Sequence, residues 1–324
     1  MGEMVRAAGI DCGTNTIRLL IADVDRAAGR LTDVARIMEV TRLGQGVDRT
    51  GWFAPDALER TLNVVTRYAK LIADAGAQGT VRFVATSATR DAANRNVFLD
   101  GVRAALGIEA EVIDGLEEAH LSFGGALASL RGPFAPPGPY LCVDLGGGST
   151  ELVLGDRTPE QAYSMDVGSV RITERHLRSD PPTEAEVRAA AADVDAALDV
   201  AARHVDLGRT GSLIGLAGSI TTIEAYALGL ERYDPAAIDG AVIGIDEALA
   251  ACQGMWQASR TERSRMGFMH PGRVDVIGAG ALVWSRVLLR VRDEVRAAGG
   301  ELTHATISEH DILDGVTLSA AQAL

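Results

Sequence analysis

Asp11-Cys12-Gly13-Thr14-Asn15-Thr16-Ile17-Arg18-Leu19-Leu20-Ile21-Ala22-Asp23 and Asp144-Leu145-Gly146-Gly147-Gly148-Ser149-Thr150-Glu151-Leu152-Val153-Leu154-Gly155-Asp156 align without a gap. An apolar run precedes each copy, Ala8-Gly9-Ile10 in one and Leu141-Cys142-Val143 in the other. Each therefore reads as a strand ending in an acid, a turn of Gly, Ser, Thr or Asn, and a second strand. A whole unit that recurs in the two halves is a fold-level signal, unlike one short motif. It predicts an α/β chain made of two duplicated lobes.

The sequence around the two copies supports this. Leu58, Leu62, Val65, Ala69 and Ile72 recur at helical spacing and predict a helix over 55–76, closed by Gly76. Residues 80–85 alternate as a strand, and the stretch after them, 86–94, reads as a polar loop. Residues 97–106 look helical, 111–114 extended and 116–130 helical again. Alternating strand and helix is the signature of an α/β domain. The segment GPFAPPGP, 132–139, holds four prolines and two glycines and cannot be a helix or a central strand. It is either the crossing between lobes or a surface loop within one. Taking it as the crossing gives an N-terminal lobe at 1–135 and a C-terminal lobe at 136–324, with a last helix, about 309–324, packing back on the first lobe. In the second half, Thr183 and Glu186 form a capping box before a long helix. Residues 213–217 read as a strand leading into Gly218-Ser219-Ile220-Thr221-Thr222. Residues 274–291 read as a helix and 305–308 as a short strand.

The bulk numbers narrow the function. The chain has 324 residues, is 47% hydrophobic and carries a net charge of −13. The charge argues against a general nucleic-acid binder, which needs a basic surface. It is compatible with a phosphate substrate, because local loops and a metal can reverse the sign of the field inside a cleft. Cys12, Cys142 and Cys252 lie far apart with no CxxC, which disfavours a disulfide framework or a zinc site and fits a reducing cytoplasm. No run of about 18 apolar residues predicts a membrane span, and the N-terminus lacks the apolar core of a secretory signal. Lys70 is the only lysine, so a Walker A loop is absent.

Turns rich in Gly, Ser and Thr present backbone N–H groups and hydroxyls on a concave face, a nest for phosphate oxygens. Three stretches qualify: Gly13, Thr14, Asn15 and Thr16; Gly146, Gly147, Gly148, Ser149 and Thr150; and 218–222, led by Gly218 and Ser219. Any one of them also reads as an ordinary turn, but two of the three follow an acid at a strand end. Two such turns suit a phosphate chain neutralised by Mg2+. Where the second copy has Glu151 the first has Arg18, which suits metal in one lobe and bare phosphate in the other. Asp11 is the counterpart of Asp144 and a further metal candidate. Glu117 and Glu118 open a predicted helix, where the dipole favours ionised carboxylates. They read either as stabilising first-turn acids or as a source of a base. Cys12 to Arg18 has the Cys-x5-Arg spacing of cysteine phosphatases. However, Asp11 disfavours a thiolate, and a strand rather than a helix follows, so Cys12 reads as a small buried residue.

The motifs DCGTNTIR (11–18), ATSATRDAAN (85–94), EEAHLSFGG (117–125), VDLGGGSTELV (143–153), GSVRITE (168–174) and GLAGSITTIEA (215–225) occur in this order. Together they resemble the Ppx/GppA family of exopolyphosphatases and guanosine pentaphosphate phosphohydrolases, over essentially the whole chain. The resemblance implies an actin-like, ribonuclease H-like fold of two lobes with a cleft between them, as in hexokinase and the Hsp70 ATPase. It implies that Glu118 deprotonates a water for attack on a terminal phosphorus, that Asp144 and Glu151 lie near Mg2+ or Mn2+, and that Arg90 and Arg171 bind phosphate. It further implies a cytoplasmic homodimer acting on inorganic polyphosphate, or on pppGpp or ppGpp in the stringent response, without nucleic-acid or membrane partners. Longer members add C-terminal helical domains, one of them HD-like. Here His310-Asp311 matches an HD pair only locally and reads as a helix cap, and a preference for shorter chains is the expectation. Two rival readings are a non-catalytic polyphosphate or alarmone sensor and an actin-like sugar kinase or chaperone ATPase.

Overall fold

The computed structural model describes residues 4–130 and 136–323. In chain order these form β1 (Met4–Cys12), β2 (Thr16–Asp25), β3 (Arg30–Val40), α1 (Val47–Thr50), α2 (Pro55–Asp74), β4 (Val81–Ala85), α3 (Ser87–Asp91), α4 (Arg95–Leu106), β5 (Glu111–Val112) and α5 (Gly115–Ser129). There follow β6 (Tyr140–Leu145), β7 (Thr150–Gly155), β8 (Pro159–Met165), α6 (Ser169–His176), α7 (Glu184–Ala201), β9 (Ser212–Leu216), α8 (Ala217–Ala227), α9 (Pro235–Ile238), β10 (Val242–Gly244), α10 (Ile245–Gln257), α11 (Arg260–Arg263), α12 (Ile277–Ala297), β11 (His304–Ile307) and α13 (Ile312–Gln322). The chain divides into two compact units, one of 1–128 with 311–324 and one of 129–310. Part of the proline-rich stretch 132–139, namely 132–135, lies outside the described residues.

The duplication is visible in the sheets. The first unit has strand order β3-β2-β1-β4-β5, and the second has β10-β11-β9-β6-β7-β8. In each, an antiparallel three-strand meander (β1–β3, β6–β8) continues through its first strand into parallel neighbours (β4 and β5; β9 and β11). The two copies of the hairpin share their register, because Asp11 opposes Arg18 and Asp144 opposes Glu151. Each turn closes with the same backbone bond, from Gly13 N to Thr16 O at 2.9 Å and from Gly146 N to Ser149 O at 3.0 Å.

Local chemistry explains the helices. Pro55 at the first helical position starts α2, and Leu58, Val65, Tyr68 and Ile72 turn inward along one stripe. Gly76, at φ 71°, lets the chain turn away after it. The reciprocal capping box of Thr183 and Glu186 starts α7. Residues 87–91 form helix α3, with Ser87, Ala88 and Thr89 buried, rather than the expected polar loop. Burial of small hydroxyl residues beneath the β1–β2 turn overrides their polarity. Strand β3 was not anticipated, because its alternation is weak and most of it is partly exposed.

Strand parity decides what covers each face of the first sheet. Ala8, Ile10 and Cys12 with Ile17, Leu19 and Ile21 point into a core built with α2 and α4. Ala7, Leu20, Ala22, Val24 and Val84 point the other way, where Leu313, Val316, Ala320 and Ala321 of α13 cover them. Asp11 and Arg18 share this second parity and so lie on the side of α13. The crossing of α13 with α5 is backbone against backbone: a Cβ on Gly125 would lie 1.9 Å from Asp311 O, and one on Gly315 would lie 2.0 Å from Leu121 O. In the second unit one large core surrounds Trp284 of α12, packed with residues of β6, β7, α7, α8 and α10.

Gly315→Ala should therefore destabilise the protein by about 1–3 kcal/mol, because the neighbour it meets is backbone and cannot rotate away. Urea denaturation checks this, and a change within about 0.5 kcal/mol, the range of ordinary surface substitutions, would contradict the close crossing.

Candidate active site

In the first unit three elements end at the same edge of the sheet: the turn after β1, the start of α3 after β4, and the start of α5 after β5. The turn is secured by its surroundings. Asn15 O accepts from Thr41 N at 3.1 Å and Arg42 N at 2.9 Å, Thr14 O accepts from Gly44 N at 2.8 Å, and the Thr14 and Ser87 hydroxyls lie 3.0 Å apart. Thr86 N donates to Cys12 O at 3.2 Å, tying α3 to the turn. Arg42 holds a left-handed φ of 53°, rare for a side chain of its size. The sequence reading omits this second loop, although Thr41-Arg42-Leu43-Gly44 is the signal that marks it.

Helix α5 is capped by Asp114, whose Oδ1 accepts from Leu116 N and Glu117 N at 3.0 and 2.9 Å. Within the first turn the two glutamates part. Glu117 points outward to an ion pair with Arg82. Glu118 points inward and is 8% exposed, with Arg90 Nη1 donating to its Oε2 at 2.8 Å and to Ile113 O at 2.9 Å. Burial pushes the Glu118 carboxyl up to about 7, against the pull of Arg90 and a hydrogen bond from Thr86, with the charge of Asp11 pushing the same way as burial. A buried carboxyl raised toward neutrality beside one cation is the environment of a general base.

Arg18 is placed differently from the phosphate ligand that its position in the repeat suggests. Its Nε and Nη2 donate to Asp11 Oδ2 at 3.0 and 2.6 Å, and its Nη1 donates to Asp311 Oδ2. All three guanidinium nitrogens are engaged inside the protein. Asp11 is thereby neutralised by a cation, which suits a structural acid better than a metal ligand. Burial and the charge of Asp11 push the Cys12 thiol up, as expected of an inert buried cysteine. Asp311 is the N-cap of α13, with a capping box to Asp314, and the His310–Asp311 pair is a helix cap as the sequence suggests.

In the second unit Asp144 and Glu151 are cross-strand partners, so both side chains leave the same face of the sheet. Both are buried, and Ser164 Oγ donates to Glu151 Oε1 at 2.7 Å. Two hard oxygen donors fit Mg2+, which is held by one or two carboxylates with water and substrate phosphate completing the shell. Among the described residues no group of three or more His, Cys, Asp or Glu forms a closed cage for a metal. The Gly146–Ser149 turn is held against α6: Ser169 N donates to Gly146 O at 3.0 Å, and Val170 N and Arg171 N donate to Gly147 O at 2.8 and 3.1 Å. Thr150 Oγ1 donates to Val167 O at 2.7 Å, so its hydroxyl serves the fold. Arg171 is mostly buried, with Nη1 3.7 Å from Asp166 Oδ1.

Gly218 and Ser219 are not part of a turn. They lie in the first turn of α8, which follows β9 directly through Ala217 at φ 68°. What this places at the strand end is a helix N-terminus, whose free N–H groups and dipole favour an anion. Asp144 is paired in register with Leu216, so the acid and the helix start share one edge of the sheet. Arg273, omitted by the sequence reading, lies over this helix start. A Cβ on Gly218 would lie 1.9 Å from its Nη2, and its Nη1 donates to Thr222 Oγ1 at 3.2 Å.

Residues 20–304 match the Ppx/GppA phosphatase family. Exopolyphosphatase 2 of Mycobacterium tuberculosis is 49% identical over 325 aligned residues, covering 98% of this chain and 99% of that protein. The chain belongs to the Ppx/GppA phosphatase family. Among solved structures, an exopolyphosphatase-like protein superposes with a TM-score of 0.93 at 48% identity, covering 98% of both chains. The Aquifex aeolicus Ppx/GppA family member superposes with a TM-score of 0.78 at 28% identity over 99% of both chains. The fold is that of the solved Ppx/GppA proteins, an α/β chain in two compact units.

This Ppx/GppA member also buries an acid away from the strand ends. Glu224 of α8 is 2% exposed and its Oε1 has no hydrogen-bond partner. Burial, with Glu247 beside it, pushes its carboxyl up to about 7. The folded state therefore holds this proton more tightly than the unfolded chain. Stability is full at acidic pH and is lost as pH rises from the ordinary carboxyl range through about 7. Glu224→Gln should be more stable than the parent by about 1–3 kcal/mol at pH 8, with the difference shrinking at pH 5. Denaturation at the two pH values checks this, and a difference independent of pH would contradict it.

Proposed function

We propose that the protein is an exopolyphosphatase, hydrolysing the terminal phosphate of inorganic polyphosphate with water activated by Glu118. The observation that carries this reading is the split of the Glu117–Glu118 pair. One acid is held at the surface by Arg82, and the other is buried with a raised proton affinity beside Arg90 and Thr86. Full-length similarity to Exopolyphosphatase 2 of M. tuberculosis supports polyphosphate as the substrate.

In this reading Glu118 accepts the proton of the attacking water. The contact with Arg90 keeps enough carboxylate present for that task. The turns at Gly13–Thr16 and Gly146–Thr150, and the start of α8 with Gly218, Ser219 and Arg273, offer N–H groups and cationic charge to phosphate oxygens. Asp144 and Glu151 would hold Mg2+, or Mn2+, which when bound neutralises phosphate charge. The reading extends to a cytoplasmic homodimer. It gives guanosine pentaphosphate, and with it a part in the stringent response, second place to polyphosphate.

Glu118→Gln should lower kcat by about 10²–10⁴-fold while polyphosphate binding persists. Turnover near the parent level would remove Glu118 from the role. The parent kcat/KM should rise with pH through the raised Glu118 value, about 7, because only the deprotonated carboxyl accepts a proton. A rate falling over that range would contradict the base assignment. Side-by-side phosphate release from polyphosphate and from guanosine pentaphosphate, with and without Mg2+, orders the substrates. Binding without release from either would favour the sensor.

A further inference from the structure

Two ion pairs to buried aspartates join α13 to the strands of the first sheet. Arg36 of β3 meets Asp314 with Nη1 and Nη2, at 3.1 and 2.6 Å. Arg18 of β2 meets Asp311 and, on its other edge, Asp11 of β1. The two pairs share a helix but differ in what lies beyond them. Arg36 otherwise pairs with exposed Asp33. Arg18 leads to Asp11, whose charge reaches Glu118, and Asp11 is followed after one residue by the Gly13–Thr16 turn. The backbone of Asp311 has a second role, since its carbonyl lies against Gly125 of α5, the helix that carries Glu118. Leu121, three residues beyond Glu118, meets Gly315 in the same crossing. One residue thus touches both elements whose separation sets the relation of the base to the phosphate turn.

We propose that Asp311 is a positioning residue for the hydrolytic reaction, which fixes the β1–β2 turn through Arg18 and Asp11 and seats α5 through its backbone. Its carboxylate locks the hairpin side, and its carbonyl sets the depth of α5. The inference rests on the reading of Glu118 as the base. A displacement of either element by a fraction of an ångström alters the line of attack while leaving most substrate contacts intact. The effect therefore falls on kcat rather than on KM.

Asp311→Asn tests this, because asparagine keeps the shape and the helix cap and loses the charge facing Arg18. Asp314→Asn is the control: it weakens the pair with Arg36 on the same helix, while the asparagine oxygen can still accept from Asp311 N in the capping box. Asp311→Asn should lower kcat between about 10- and 100-fold, with KM within about twofold. Asp314→Asn should lower the melting temperature at least as much and leave kcat within about twofold of the parent. Parent-level kcat in Asp311→Asn, or equal kcat losses in both variants, would overturn the proposal. If Asp311→Asn does not fold, Arg18→Lys serves, since it keeps the charge and loses the two-edged fork. It should show the same loss of kcat at unchanged KM, and parent-level kcat would overturn the proposal. Amide hydrogen exchange separates this inference from the assignment of the base. Exchange over 11–16 and 115–121 should quicken in Asp311→Asn more than in Asp314→Asn, whatever Glu118→Gln does to turnover. Unchanged exchange there would overturn the positioning role by itself.

Discussion

An ionised carboxylate removed from water costs several kcal/mol unless a cation and hydrogen bonds replace its lost hydration. The first unit buries Asp11, Asp311 and Asp314 almost completely and meets that requirement with two arginines, Arg18 and Arg36. Each arginine stands on a strand, and α13 brings Asp311 and Asp314 to them from the far end of the chain. The helix cannot leave without stranding Asp11 beside an arginine that has lost half its partners. The apolar contacts of Leu313, Val316 and Ala321 supply the area, and the ion pairs supply the register.

The same constraint explains why the two copies of the repeat differ where they do. At one register position the first hairpin pairs Asp11 with Arg18, and the second pairs Asp144 with Glu151. The first pair is self-neutralising and holds a turn in place. The second sets two carboxylates side by side, a pair of hard oxygen donors. Duplication thus supplies the same scaffold twice, with an arginine in the first copy where the second has an acid. Glu118 stands apart from both hairpins, on a helix start that only the first unit furnishes with an inward-facing acid beside Arg90.

Much of the fold was legible because its signals are local. The gapless hairpin repeat, the stripe of Leu58, Val65 and Ile72, and the Thr183–Glu186 box each lie within a short window, and each appears as read. What was not legible depends on distant partners. Arg18 finds Asp311 at a separation of 293 residues, so its role in an ion pair has no trace near position 18. Gly218 and Ser219 looked like a turn because small residues mark both turns and helix starts that approach a ligand or another side chain. Only the placement of Arg273 and the start of α8 at Ala217 decide between them. Glu118 was distinguished from Glu117 by family motif alone, and the physical distinction appears when Arg82 holds one and Arg90 the other.

The central claim is that water attacks the last phosphorus of a polyphosphate chain with help from a buried carboxylate. Hydrolysis of polyphosphate of defined length in 18O-labelled water tests it most directly, with the released orthophosphate and the shortened chain analysed separately by mass. The account predicts one labelled oxygen in each orthophosphate released and none in the remaining chain. Label in the shortened chain, or pyrophosphate or internal fragments as the first product, would contradict it.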